Sequence, residues 1–175
     1  MATAVFCTAK TSMQATRIVE QLKVGGFYHS QISVLMPDQA GTKDFAIHNQ
    51  TKAPEGAATG VGTGAAVGAG LGWLVGIGAL AIPGVGALIA AGPIMAALAG
   101  ATVGGTVGGI TGALIGMGIP EFEAKRYEDR VKGGHALISV HSETSEETTR
   151  AKEIFKAAGA DDIATASEKS VVHST

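Results

Sequence analysis

Two similar β-α-β patterns, separated by 65 residues without an ionisable side chain, predict an α+β protein. The expected architecture is a ferredoxin-like βαββαβ domain interrupted by a glycine-zipper two-helix hydrophobic hairpin. Three observations carry this. Residues 56–120 contain no Asp, Glu, Lys, Arg or His, so all 13 basic and 15 acidic residues lie in the flanks. Glycine recurs every four residues in two rows of that stretch, which holds 20 of the chain's 26 glycines. At an offset of 133 residues, Thr11, Ser12, Thr16, Arg17, Glu20, Lys23 and Gly26 match Thr144, Ser145, Thr149, Arg150, Glu153, Lys156 and Gly159. The domain organisation that follows has three parts. Residues 1–55 are the first βαβ half plus a linker, 56–120 the apolar hairpin, and 121–175 a helix plus the second βαβ half, the two halves forming one domain.

In the first half, residues 4–8 read as a short apolar strand. Thr11 and Gln14 read as a capping box that starts a helix. Ala15, Ile18, Val19 and Leu22 make one face of that helix, and Gly25-Gly26 stops it. Ile32, Val34 and Met36 alternate with Ser33 and Leu35 in a second strand that Pro37 ends. Residues 38–55 are polar, mixed and without period, as in a linker.

The glycine rows are Gly56, Gly60, Gly64, Gly68, Gly72 and Gly76, then Gly100, Gly104, Gly108, Gly112 and Gly116. In water each helical glycine costs about 1 kcal/mol relative to alanine. In lipid the backbone must bond internally, which favours helix, and small residues four apart let two backbones approach. These eleven glycines are therefore the expected helix-packing residues. Pro83-Gly84 and Gly92-Pro93 bracket a turn. The helices would cover residues 57–81 and 93–117, each roughly 36 Å long against a bilayer core of about 30 Å. Val67, Leu71 and Leu74, and Val103, Val107, Ile110 and Leu114, would form bulky outer faces. Trp73 fits an interfacial anchor or a packing role inside a helix bundle. A row at spacing four drifts about 40° per step, so one straight partner cannot follow it throughout. Crossed helices or a homo-oligomer through the hairpin are the two ways to satisfy it.

In the second half, Pro120 suits the start of a helix with Glu121 and Glu123 at its positive end. Ala124, Tyr127 and Val131 form its apolar row, which suits either packing on the sheet or lying at a membrane surface with basic side chains toward headgroups. Residues 135–141 form a strand with Leu137, Ser139 and His141 on one face and Ala136, Ile138 and Val140 on the other. Thr144 and Glu147 form a second capping box, Gly159 stops the helix, and residues 163–166 make a short last strand. Because strands two and three of such a domain are neighbours, the insertion must leave and return on one side of a membrane. Lys and Arg on both flanks favour the cytoplasmic side of the inner membrane.

Several function classes fall away. The net charge of −2 gives no electrostatic case for nucleic acid. The single cysteine, Cys7, has no partner for an internal disulfide. No Gly-x-Gly-x-x-Gly or Gly-Lys-Ser/Thr occurs, so the glycines do not cradle phosphates. No Gly-x-Ser-x-Gly nucleophile motif is present. His29, His48, His135, His141 and His173 show no metal-ligand spacing: His135 and His141 on one strand stand roughly 20 Å apart. The sequence therefore predicts no enzyme, no cofactor and no metal site.

Lys52-Ala53-Pro54-Glu55-Gly56, Ala81-Ile82-Pro83-Gly84, Ala90-Ala91-Gly92-Pro93 and Gly118-Ile119-Pro120-Glu121, leading to Tyr127-Glu128 and Gly133-Gly134, carry a family resemblance. The chain resembles the bacterial general stress protein 17M-like family, which includes proteins called low temperature-induced. The resemblance implies a general-stress-type domain with a glycine-rich apolar hairpin and an association with stress, and no catalytic activity. The expected function is a non-enzymatic, membrane-associated stress-response protein with membrane lipid as its partner. The alternatives are a soluble self-assembling structural protein whose hairpins bury one another, or a ligand-sensing module.

Overall fold

The computed structural model describes residues 2–37, 78–82, 86–92, 94 and 109–167. Along the chain these form β1 (Thr3–Ala9), α1 (Ser12–Val24), a 3-10 turn (His29–Gln31), β2 (Ile32–Pro37), β3 (Gly78–Ile82) and β4 (Gly86–Ala91). Then follow α2 (Gly109–Gly116), α3 (Glu121–Lys132), β5 (Ala136–Ser142), α4 (Ser145–Ala157) and β6 (Asp161–Ser167). The chain is mixed α/β. One sheet runs in the order β3-β4-β2-β5-β1-β6, with every neighbouring pair antiparallel.

Both capped helices start as their sequences dictate. The Gln14 N–H donates to Thr11 Oγ1 (3.1 Å) and the Glu147 N–H to Thr144 Oγ1 (3.1 Å). The return contacts reach one residue further back than a standard box. Gln14 Oε1 accepts from the Lys10 N–H and Glu147 Oε2 from the Glu143 N–H, both at 2.8 Å. The repeat is thus kept in geometry as well as in sequence. It also governs the central ladder. Phe6 stands opposite Ser139, and these two are separated by the repeat offset of 133, so they mark its pseudo-two-fold axis. The Thr3–Ser142 and Ala9–Ala136 pairs exchange across that axis.

The sheet is covered on both faces. On one, Val5, Cys7, Ile32, Val34, Met36, Ile138 and Val140 meet Ile18, Leu22, Ala151 and Phe155 of α1 and α4. On the other, Phe6, Leu35 and Leu137 meet Leu88, Ile110, Leu114, Ala124, Tyr127 and Val131. Each fully buried large apolar side chain contributes roughly 1.5–3 kcal/mol relative to exposure. The row Ala124, Tyr127 and Val131 is buried on the sheet, so of the two settings open to α3 the fold takes the sheet.

The middle of the apolar stretch corrects the sequence reading. Spacing and the Pro-Gly pairs place residues 78–81 at the end of a helix and 83–93 in a turn. Instead β3 and β4 form a hairpin at the edge of the sheet, with β4 laddered to β2 from Val34–Ala91 to Pro37–Leu88. A short apolar run bounded by Pro-Gly is a strand signal as readily as a helix end, and periodicity alone does not separate them. What decides is β2. Its residues from Ile32 to Met36 are buried on both faces, the pattern of an interior strand, and an interior strand needs a second neighbour. Of the remaining hairpin, residues 57–77 and 95–108 lie outside the described residues. Among the described residues no helix is long and apolar enough to cross a membrane.

Candidate functional site: the junction of the apolar stretch

The apolar stretch is fastened to the domain at three points. The first is the β4–β2 ladder. The second lies just beyond it, where Ser33 Oγ accepts from the Ile94 N–H at 3.0 Å. Gly92 makes that approach possible. Its φ is +91°, and a Cβ there would stand 2.3 Å from the Ile32 carbonyl oxygen and 2.7 Å from Ser33 Cα. Only glycine tolerates both the left-handed backbone and the contact. The third is the start of α2. The Glu128 carboxylate accepts from the Thr111 N–H at 2.8 Å and from the Thr111 hydroxyl, and pairs with Lys132 at 2.7 Å. Desolvation pushes the Glu128 carboxyl up, but its bonds from Lys132 and Thr111 outweigh this and hold it below its ordinary value. A negative charge at a helix N-terminus meets unsatisfied N–H groups and the positive end of the dipole.

The packing glycines expected from spacing divide accordingly. Gly56, Gly60, Gly64, Gly68, Gly72, Gly76, Gly100, Gly104 and Gly108 lie outside the described residues. Gly112 and Gly116 are in α2. The face that α2 turns to the domain is Ile110, Ala113 and Leu114, all buried, while Gly116 is exposed with nothing within 4 Å of where a Cβ would be. The expected outer face of this helix is therefore its inner one. Against a protein sheet the bulky side chains gain by burial, whereas glycine-inward packing belongs to helices already surrounded by lipid.

A charged node locks α3 and β6 to the opposite end of the sheet. The β1–β6 register shifts between Phe6 and Thr8. There Asp162 takes φ +51°, the one positive φ outside glycine among the described residues. Aspartate tolerates this region better than most. Its carboxylate, 11% exposed, accepts from Thr8 Oγ1 at 3.1 Å, pairs with Arg130 Nε at 2.8 Å and lies 3.6 Å from Arg126 Nη1. Its carbonyl accepts from the Tyr127 hydroxyl at 2.8 Å. Burial, then Glu123 and other nearby acids, pushes the Tyr127 phenol up, so it remains a donor. Lys10 pairs with Asp161 at 3.4 Å. Sequence reasoning passed over Asp162, and the only signal for it was an acidic pair opening the last strand.

Chemically this node is a satisfied ion-pair cluster. It holds two guanidiniums, a carboxylate, a threonine and a phenol, and the carboxylate that accepts from the Thr8 hydroxyl is itself paired with Arg130. Burial pushes the Cys7 thiol well up, which suits a core residue and not a reactive one. No group of three or more His, Cys, Asp or Glu side chains fit to hold a metal occurs among the described residues. The hollow lined by Ser145, Glu146, Thr149, Arg150 and Glu153 is open surface along the outside of α4. Outward from the node, Arg126 lies 4.8 Å over the ring of Phe122, which is 72% exposed. Neither a protein-family model, nor a curated protein, nor a solved structure matches the chain.

Proposed function

We propose that this is a non-enzymatic, membrane-associated stress-response protein, a small α+β domain that carries an apolar, glycine-rich stretch to lipid at the inner face of the cytoplasmic membrane. The observation that carries this reading is the run of 65 residues without an ionisable side chain, pinned at its middle and its end to a charged domain. The strand order β2-β5-β1-β6, with α1 and α4 on one face, supports treating the domain as ferredoxin-like βαββαβ. The stress connection rests on the motif resemblance.

The junction refines how lipid would be met. With β3 and β4 in the sheet, residues 38–77 and 95–108 each begin and end on the same domain. Fourteen residues, 95–108, would span about 21 Å as a continuous helix, the form lipid demands, short of a bilayer core of about 30 Å. Entry from one leaflet suits this better than a hairpin whose turn reaches the far side. Carbonate washing of isolated membranes tests the proposal. Retention in the membrane pellet is expected, and complete release into the wash would rule out insertion.

A second reading, self-assembly through protein contacts, is favoured by one observation: β3 ends the sheet among the described residues.

A further inference from the structure

The two edges of the sheet are built differently. The β6 edge opens with Asp161 and Asp162, bends at a register shift and places Asp162 at positive φ. Charge, bulge and twist are the devices by which folded proteins keep an edge strand from pairing with another chain. The β3 edge has neither charge nor bulge. Its five residues, Gly78-Ala79-Leu80-Ala81-Ile82, include no charge and no proline, and all five pair with β4 in unbroken register, from Gly78–Ala90 to Ile82–Gly86. Its outer backbone groups have no partner among the described residues. Five paired residues present about 17 Å of regular ladder.

We propose that this edge is an interface, and that its occupant is the β3 strand of a second copy of the chain. The pairing is antiparallel about a two-fold axis perpendicular to the sheet, and it joins two six-stranded sheets into one of twelve. The lack of charge permits this pairing. Two β3 strands meet without like-charge repulsion, whereas two β6 edges would bring Asp161 and Asp162 against their own copies. A β3–β6 pairing would set the regular edge against a bulged one and would not close, giving chains of indefinite length. The perpendicular axis also keeps the α1/α4 layer on one side of the joined sheet and the α2/α3 layer on the other. The inference does not depend on lipid, and its test is kept separate from the membrane one by working both in detergent and without it.

The experiment is a cysteine scan of the full chain, one substitution at a time from Gly78→Cys to Ile82→Cys, with mild oxidation of the folded protein. Native Cys7 is fully buried and serves as the background control. Disulfide-linked dimer is expected to peak at one position, or two adjacent ones, and to fall at least several-fold on either side. Only residues nearest the two-fold axis face their own copies. No dimer at any of the five positions, as when an earlier part of the same chain covers the edge, overturns the proposal. So does equal dimer at all five, the mark of unspecific aggregation. In a second measurement, Ala79→Lys and Leu80→Lys are each expected to halve the mass found by light scattering while the far-ultraviolet spectrum stays unchanged. An unchanged mass in both folded variants overturns it as well.

Discussion

The two faces of the sheet are covered by layers of different origin. The α1/α4 layer comes from the two similar halves. Its helices begin at Thr11 and Thr144 with the same contacts, and each reaches the end of the other. Gln14 Nε2 donates to the Ala158 and Gly159 carbonyls at 3.1 and 2.9 Å, and Arg150 Nη1 donates to the Gly25 carbonyl at 3.3 Å. The α2/α3 layer has no internal repeat. It is assembled from the end of the apolar stretch, the helix that follows it, and Leu88 from the edge hairpin. Local rules suffice for the first layer, because capping, amphipathic period and stop signals fall within some fifteen residues of one another. The second is held by contacts between distant segments: Glu128 with Thr111, Ser33 with Ile94, Asp162 with Arg130 and Thr8.

If the layers differ in this way, substitutions in them should fail differently. The largest effect is expected for Phe155→Ala in the first layer, where a fully buried ring is lost. A loss of about 3–5 kcal/mol in urea titration should lower both far- and near-ultraviolet signals together, since that layer carries both repeats. Leu114→Ala in the second layer removes a side chain as deeply buried, at about 2–4 kcal/mol. Here hydrogen exchange should quicken in α2 before it quickens in β1 and β5. Equal quickening everywhere would erase the distinction between the layers.

Asp162→Ala comes next. It leaves Arg130 and Thr8 without their shared partner. Breaking a buried pair costs about 3–5 kcal/mol, but both arginines here are over two-fifths exposed. Solvent screening reduces the expected loss to roughly 1–2 kcal/mol. Thermal melts of Asp162→Ala beside the double variant with Arg130→Ala would show whether the ion pair accounts for it. Two additive losses would mean that it does not.

The smallest effect is a pH dependence confined to the second layer. The folded Glu128 carboxyl titrates below its ordinary value, which for glutamate is about 4.3. A depressed carboxylate contributes stability that is present above the unfolded value and is lost as pH falls through the folded one. The hold of Glu128 on α2 is therefore intact near neutrality and released in acid below about pH 4. Glu128→Gln should cost about 1 kcal/mol at pH 7, as loss of a helix cap does. It should also flatten the acid limb of a stability profile. A limb as steep as the parent's would assign the acid loss to other carboxylates.

Much of the fold is legible from particular residues. The alternation of Ile32, Val34 and Met36 with Ser33 and Leu35 places these side chains on their correct faces, as do Ala136, Ile138 and Val140 against Leu137. Thr11 and Thr144 fix where two helices start. The edge hairpin was not legible in the same way. Its glycines and alanines lie inside a longer run of the same composition, and helix and strand both satisfy the backbone of an uncharged segment. The burial of β2 on both faces was the available clue. Asp162 was obscured for a different reason. An acidic residue at the start of a strand is ordinary, and its two arginines lie 36 and 32 positions earlier in the sequence.

By itself the sequence determined the two β-α-β halves, their caps, and the division between a charged domain and an uncharged stretch. Each of these follows from residue chemistry at short range or from composition. Only the tertiary structure decided which side of α2 faces inward, that the middle of the apolar stretch joins the sheet as β3 and β4, and that, among the described residues, the sheet ends on a charged, bulged strand at one side and an uncharged, regular one at the other. Those outcomes depend on which distant backbone and side-chain groups find partners. An uncharged, glycine-rich segment accepts a helix or a strand with similar local cost, so the unfilled edge of β2 settled its conformation.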